Sequence, residues 1–143
     1  MHAITKRLEF CYGHRLVGYD GPCQHLHGHN AIVEIELRAA SLDAQDMVRD
    51  FSEVRRVMRA WIDAHLDHRM ILRQDDPVVP FLLSQGEPVF LLDTNPTAER
   101  LAQLIFERVA AEGWPVVRVS LWETPSSRAD FLAPRTSSHD VVL

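Results

Sequence analysis

Cysteine is scarce in this 143-residue chain: Cys11 and Cys23 are the only two, too few for a disulfide framework. Long apolar runs are missing as well. None approaches the roughly 18 consecutive apolar residues of a membrane-spanning helix, and the opening MHAITKRLEF has no apolar signal-peptide core. No membrane partner and a cytoplasmic location are therefore expected. Positive charge is in deficit, with fifteen Lys and Arg against twenty Asp and Glu for a formal charge of −5. That balance argues against a nucleic-acid partner needing a broad cationic face and leaves room only for a local basic pocket. No repeat, low-complexity tract or linker divides the chain. Its length, with 46% hydrophobic and 24% charged residues, fits one domain over 1–143. The closing APRTSSHDVVL, residues 133–143, lacks periodicity and is expected to be a loose tail.

What the chain has in excess is histidine, at positions 2, 14, 25, 27, 29, 65, 68 and 139. Five of these eight fall in two tight groups, a pattern that points to metal or proton chemistry.

Hydrophobic periodicity sets these groups on elements. Residues 3–14 alternate, so that Ile4, Leu8, Phe10, Tyr12 and His14 share one face of a strand. After the turn-rich GYDGPC, residues His27, His29, Ala31, Val33, Ile35 and Leu37 do the same, and the two segments read as an antiparallel pair. His27 and His29 then project from one side, about 7 Å apart at the backbone. Asp50 and Glu53 resemble a capping box, and Val54, Val57, Met58, Trp61, Ile62 and Leu66 follow at helical spacing to an end near His65. A second helix opens at NPTAE, where Asn95 or Thr97 can cap and Pro96 suits the first turn; Gly113 can terminate it. VVRVSLWET reads as a strand with Val117, Val119, Leu121 and Glu123 on one face, and PVFLLD as a short extra strand. The order predicts an α+β domain, a small antiparallel sheet with two helices on one face. Its open edges would favour closure by oligomerisation.

His14 with HLHGHN supplies imidazoles in the number a catalytic zinc requires, three protein ligands and one open position. The same spacing also fits strand histidines bonded in the core or exposed at a turn, and His25 shares the parity of His27 and His29. Cys23 stands four residues before His27, where a nearby cation would make it a nucleophile or base; it could equally be a small turn residue or a fourth ligand. Cys11, on the face opposite His14, reads as packing. Asp67 and His68 form a carboxylate–imidazole pair suited to proton relay, although neighbours on a helix do not face each other and a helix-end imidazolium is an equal reading. Glu123 ends an apolar stripe and needs a partner: either one of the arginines or the paired N–H edge of a pterin or guanine. His2, His65 and His139 carry no assigned role.

Taken together, His14 in FCYGHRL, CQHLHGHN, the Asp50–Phe51 pair of VRDFSEV, LDHR, NPTAE and LWET resemble the 6-pyruvoyltetrahydropterin / 6-carboxytetrahydropterin synthase family of tunnelling-fold enzymes. The blocks run in family order over residues 4–124. The resemblance implies that His14, His27 and His29 bind Zn²⁺, excluding His25, and that Cys23 is the catalytic proton acceptor activated by His68 with Asp67. It implies that Glu123 anchors the pterin edge while coupled to the same proton network, and that Thr97 lines the substrate pocket. It further implies a homohexamer of two trimeric barrels, in which Asp67 and His68 meet a neighbouring chain's Cys23. Three residues, QHL, separate Cys23 from the HGH element, as in the bacterial carboxytetrahydropterin synthases. The implied reaction is a carbon-carbon lyase step on 7,8-dihydroneopterin triphosphate, in queuosine and deazapurine biosynthesis; the alternatives are pyruvoyltetrahydropterin synthase, another pterin side-chain lyase, or a non-catalytic zinc- or pterin-binding module. The chain departs from the family pattern at Tyr12–Gly13, where an alanine pair is usual, at Ala31, where an aromatic is frequent, and in a longer segment from Arg73 to Asp93.

Overall fold

The computed structural model describes residues 1–135. Two long strands form its spine: β1 (His2–His14) and β2 (His27–Ala39), paired antiparallel from His2 opposite Ala39 to His14 opposite His27. Their inward residues, among them Leu8, Phe10, Tyr12, Val33, Ile35 and Leu37, alternate as the period-two pattern requires and are buried. Between the strands, Pro22–Gln24 form a single 3₁₀ turn that carries Cys23.

Helix α1 (Phe51–His65) starts where the Asp50 side chain accepts the Ser52 N–H at 2.7 Å. Glu53 does not close a reciprocal box; its carboxylate reaches Arg49 at 3.5 Å. Val54, Met58 and Ile62, one per turn, have no exposed surface and face the sheet. Strand β3 (Arg69–Arg73), the short helix α2 (Val79–Ser84) and strand β4 (Val89–Leu92) follow. Helix α3 (Ala98–Ala110) is capped by Thr97, whose hydroxyl accepts the Arg100 N–H, and it buries Leu101, Ala102, Ile105 and Val109. Strands β5 (Val116–Thr124) and β6 (Ser127–Leu132) end the fold as a hairpin.

The six strands make one curled sheet in the order β4-β3-β1-β2-β5-β6, with α1 and α3 packed on its inner face. This corrects the expectation of a wholly antiparallel sheet with two helices: β3 runs parallel to β1 and β4 parallel to β3. The physical reason is connectivity. Helix α2 carries β3 into β4 in the same direction, whereas β2 passes through α1 into a β3 of opposite direction, which sets β3 parallel to β1. A second correction lies in β5, where the register shifts between Glu36 and Leu37 so that Leu37 faces Val116. This bulge buries Val116 in the place assigned to Val117, while Val119 and Leu121 hold the expected face. Of the expected tail, residues 136–143, including His139, lie outside the described residues.

Candidate active site

His14 ends β1 and His27 begins β2, directly opposite each other, while His29 stands opposite Tyr12. Strand parity turns all three rings to the helix-covered side, and each offers a nitrogen within 4.8 Å of the others. Two of the rings are fixed by backbone carbonyls: His14 Nδ1–H donates to the Pro96 carbonyl at 2.7 Å, and His27 Nδ1–H to that of His25 at 2.6 Å. That leaves Nε2 of each as a free lone pair, the tautomer that a metal ligand must adopt. The Nε2 atoms of His14 and His29 lie 3.2 Å apart. Tetrahedral nitrogen ligands held at about 2.0–2.1 Å would be about 3.3 Å apart. His14 and His29 thus already stand at ligand spacing, with a nitrogen of His27 within 4.8 Å of both. Burial lowers the His14 pKa, against the opposing effect of the Pro96 bond, and keeps its ring neutral for ligation. His25 precedes the strand and enters only through its carbonyl, which removes it from the ligand set by geometry.

Glu123, near the end of β5, brings its carboxylate to 3.9 Å from His14 Nε2 and 3.8 Å from His29 Nε2. Tyr12 donates its hydroxyl to the same carboxylate at 3.4 Å. Burial first, then the adjacent Glu123 charge, pushes the Tyr12 phenol far up, so it stays a donor. His14, Glu123, Cys23 and Thr97 line a single cavity of about 330 Å³, joined there by Tyr19 and Arg128. Cys23 is held by its turn and by its carbonyl, which accepts the Leu16 N–H at 2.9 Å. Asn95 does not cap α3. Its side-chain amide instead bonds both backbone groups of Val17, at 2.9 Å each, and pins the loop that leads to Cys23.

Asp67 and His68 lie elsewhere, in a separate pocket beyond the end of α1. They are in contact after all, because the chain has left the helix: Leu66 caps it, and His68 takes a left-handed φ of 58°. His68 Nδ1 meets Asp67 Oδ2 at 2.8 Å. Asp67 Oδ1 accepts the Cys11 N–H at 3.0 Å; burial raises the Asp67 pKa, but this bond and His68 more than offset it and leave the carboxyl below its ordinary value. Cys11, read from parity as packing, is half-buried and stands beside this pair.

A family model for 6-pyruvoyl tetrahydropterin synthase matches residues 3–134. The chain belongs to this family. It is 36% identical over 133 residues to a Rickettsia bellii protein named 6-carboxy-5,6,7,8-tetrahydropterin synthase, covering 88% of this chain and 96% of the relative. A Haemophilus influenzae protein of the same name is 31% identical, with 92% and 99% covered. Among solved structures, an uncharacterized Wolinella succinogenes protein superposes with TM-score 0.79 at 28% identity over 93% of this chain and 98% of that one. The Caenorhabditis elegans 6-pyruvoyl tetrahydropterin synthase superposes with TM-score 0.69 at 22% identity, covering 93% and 96%, a likeness of fold.

Membership in the pterin synthase family makes this chain a pterin-family enzyme acting on a small molecule. No helix among the described residues is long and apolar enough to cross a membrane. In this chain His14, Cys23, Glu123 and Thr97 line one cavity and His27 and His29 stand beside His14, whereas Asp67 and His68 do not join them. Sequence reasoning missed the Pro96 carbonyl and the Tyr12 hydroxyl. The first is a backbone group with no residue signature; the second shares the parity of His14 and was legible as a polar tip on an apolar face.

Proposed function

We propose that the chain is a zinc-dependent lyase that converts 7,8-dihydroneopterin triphosphate and one water to 6-carboxy-5,6,7,8-tetrahydropterin, acetaldehyde and triphosphate. The observation that carries this reading is the shared cavity, where His14, one member of the three-histidine cluster, lines the wall together with the Cys23 thiol and the Glu123 carboxylate. His14, His27 and His29 would hold Zn²⁺, which supplies Lewis acidity toward oxygens of the substrate side chain. Glu123 accepts the paired N–H edge of the pterin and so fixes the ring with its side chain toward the histidines. Tyr12, a permanent donor to Glu123, orients that carboxylate. Thr97 borders the ring pocket. Cys23 takes and returns the protons that the side-chain rearrangement displaces.

Activation of Cys23 falls to Asp67 and His68 of a neighbouring subunit in a homohexamer of two trimeric barrels. Two features support that assignment. The pair is preassembled, with Asp67 holding His68 Nδ1 while the imidazole remains largely exposed, and the pocket it occupies is not the one that holds Cys23 of its own chain. The shared name of the bacterial relatives favours the carboxytetrahydropterin product over pyruvoyltetrahydropterin.

Incubation of the purified protein with dihydroneopterin triphosphate, followed by mass identification of the product, is the deciding experiment. The carboxytetrahydropterin mass and acetaldehyde are expected. A pyruvoyl product would reassign the activity, and zinc content without turnover would reduce the chain to a binding module. Cys23→Ala should retain zinc and pterin binding and lose turnover by at least about a hundredfold. Full activity in that variant would remove the thiol from the mechanism. Sedimentation equilibrium tests the hexamer, expected at six times the 16.3 kDa chain mass.

A further inference from the structure

Strand β1 presents chemistry on both of its faces. His14 points to the trihistidine centre; Cys11, three residues earlier, points the other way, to Asp67 and His68. The contact is built from backbone as well as side chains. Cys11 N–H donates to Asp67 Oδ1 at 3.0 Å, and the His68 N–H donates back to the Cys11 carbonyl at 2.8 Å. These reciprocal bonds fasten the turn after α1 to β1 whatever rotamers the exposed tips adopt. His68 is held there in a left-handed backbone conformation, which a non-glycine residue keeps only where the surroundings impose it.

Thiol, carboxylate and imidazole each place one donor atom within 4.8 Å of the other two. A tetrahedral site with such donors needs separations of about 3.3–3.8 Å. The difference is small enough for side-chain rotation of Cys11 and the exposed His68 to close. The pocket around the cluster, about 520 Å³, is also lined by Glu9 and Asn30, so an incoming cation meets a further carboxylate and leaves space for water as remaining ligands. Sulfur, nitrogen and oxygen donors in one site select zinc-class, thiophilic cations over calcium or magnesium.

We propose that Cys11, Asp67 and His68 form a second binding site for a zinc-class divalent cation, on the face of β1 opposite the trihistidine centre. Its existence does not depend on the lyase reading. One consequence does rest on that reading: a cation here occupies the relay imidazole, so excess zinc inhibits turnover without displacing the metal of the trihistidine centre.

Cobalt(II) titration of the metal-free full-length protein tests the site, because thiolate ligation produces a near-ultraviolet charge-transfer band that imidazole ligation alone does not. The wild type is expected to bind two equivalents, one with the band. Cys11→Ser should abolish the band and weaken that equivalent at least about tenfold. His68→Asn, whose new side chain tolerates the left-handed backbone, should weaken it likewise. Cys23→Ser should keep the band, and a His27→Ala/His29→Ala double variant should retain one equivalent with the band. Absence of the band in the wild type, or a band that survives Cys11→Ser, or one that vanishes in Cys23→Ser, overturns the proposal. None of these readouts involves turnover, so failure of the lyase assignment would leave them unchanged.

Discussion

Asp76 shows how much one buried carboxylate does outside the site. Its side chain is fully buried, accepts from Arg15 Nε at 2.8 Å and from the second guanidinium arm, and accepts the Val78 N–H at 2.9 Å. Arg15, directly after His14, is thereby tied to the segment that leads into α2. The Arg15 bond holds the Asp76 carboxyl below the ordinary carboxylate value, against the opposing effect of burial. A folded-state pKa below the unfolded one, near about 3.9, stabilises fully above that pH and is lost as pH falls through the folded value. Asp76→Asn should therefore cost about 2–4 kcal/mol at pH 7, softened because Arg15 is one-quarter exposed, and much less near pH 3. Urea unfolding at the two pH values checks this; an equal loss at both would rule out the charge as the cause.

At the scale of elements, the strand pair β1–β2 approaches closely where the three histidines meet. Gly28 lies between His27 and His29 and opposite Gly13, and a Cβ on Gly28 would stand 3.0 Å from the Tyr12 carbonyl oxygen. Gly28→Ala must push backbone against backbone. It is expected to destabilise by about 1–2 kcal/mol and to weaken metal binding roughly tenfold by separating the rings. Gly13→Ala should be milder, because its Cβ would clash chiefly with the flexible thioether of Met70 and stand 3.3 Å from the His27 carbonyl oxygen. Thermal unfolding of the metal-free forms and competition against a chelator measure the two effects, and unchanged values for Gly28→Ala would show that the strands yield freely.

The same elements show which parts of the fold were legible in the sequence. Local rules sufficed for β1, β2, the caps at Asp50 and Thr97, and the bounds of β5, because alternation and capping are written in adjacent residues. They failed for β3 and β6. RMILR is only five residues long and pairs in parallel with a strand more than fifty positions away, and SRADFL is a half-exposed edge with little apolar signal. The bulge in β5 depends on its partner and has no local mark. In the site, parity found the buried face of the three histidines, but Cys11 was assigned to packing because its partners are 56 and 57 positions distant.

For the whole molecule, the trihistidine centre joins elements that are remote in sequence: His14 bonds Pro96, 82 positions away, just before α3. A metal bound there ties β1, β2 and the start of α3 to one point and stabilises the folded state by mass action. Free zinc at a hundredfold its dissociation constant should add about 2.7 kcal/mol. Chelation should then lower Tm by about 6–10 °C, as calorimetry with and without chelator would read. A Tm indifferent to chelator would mean that the centre binds no metal under those conditions. The two-faced character of β1 also has a consequence for how this chain can change length. Alternation gives every residue of the strand a fixed side, so a deletion of one residue between His2 and Cys11 inverts all positions before it relative to those after. Either the core set ending in Leu8 and Phe10 turns to water, or His14 and Cys11 exchange faces. Loops such as 40–49 can absorb insertions; β1 has a reading frame, and its only tolerated frame is the present one.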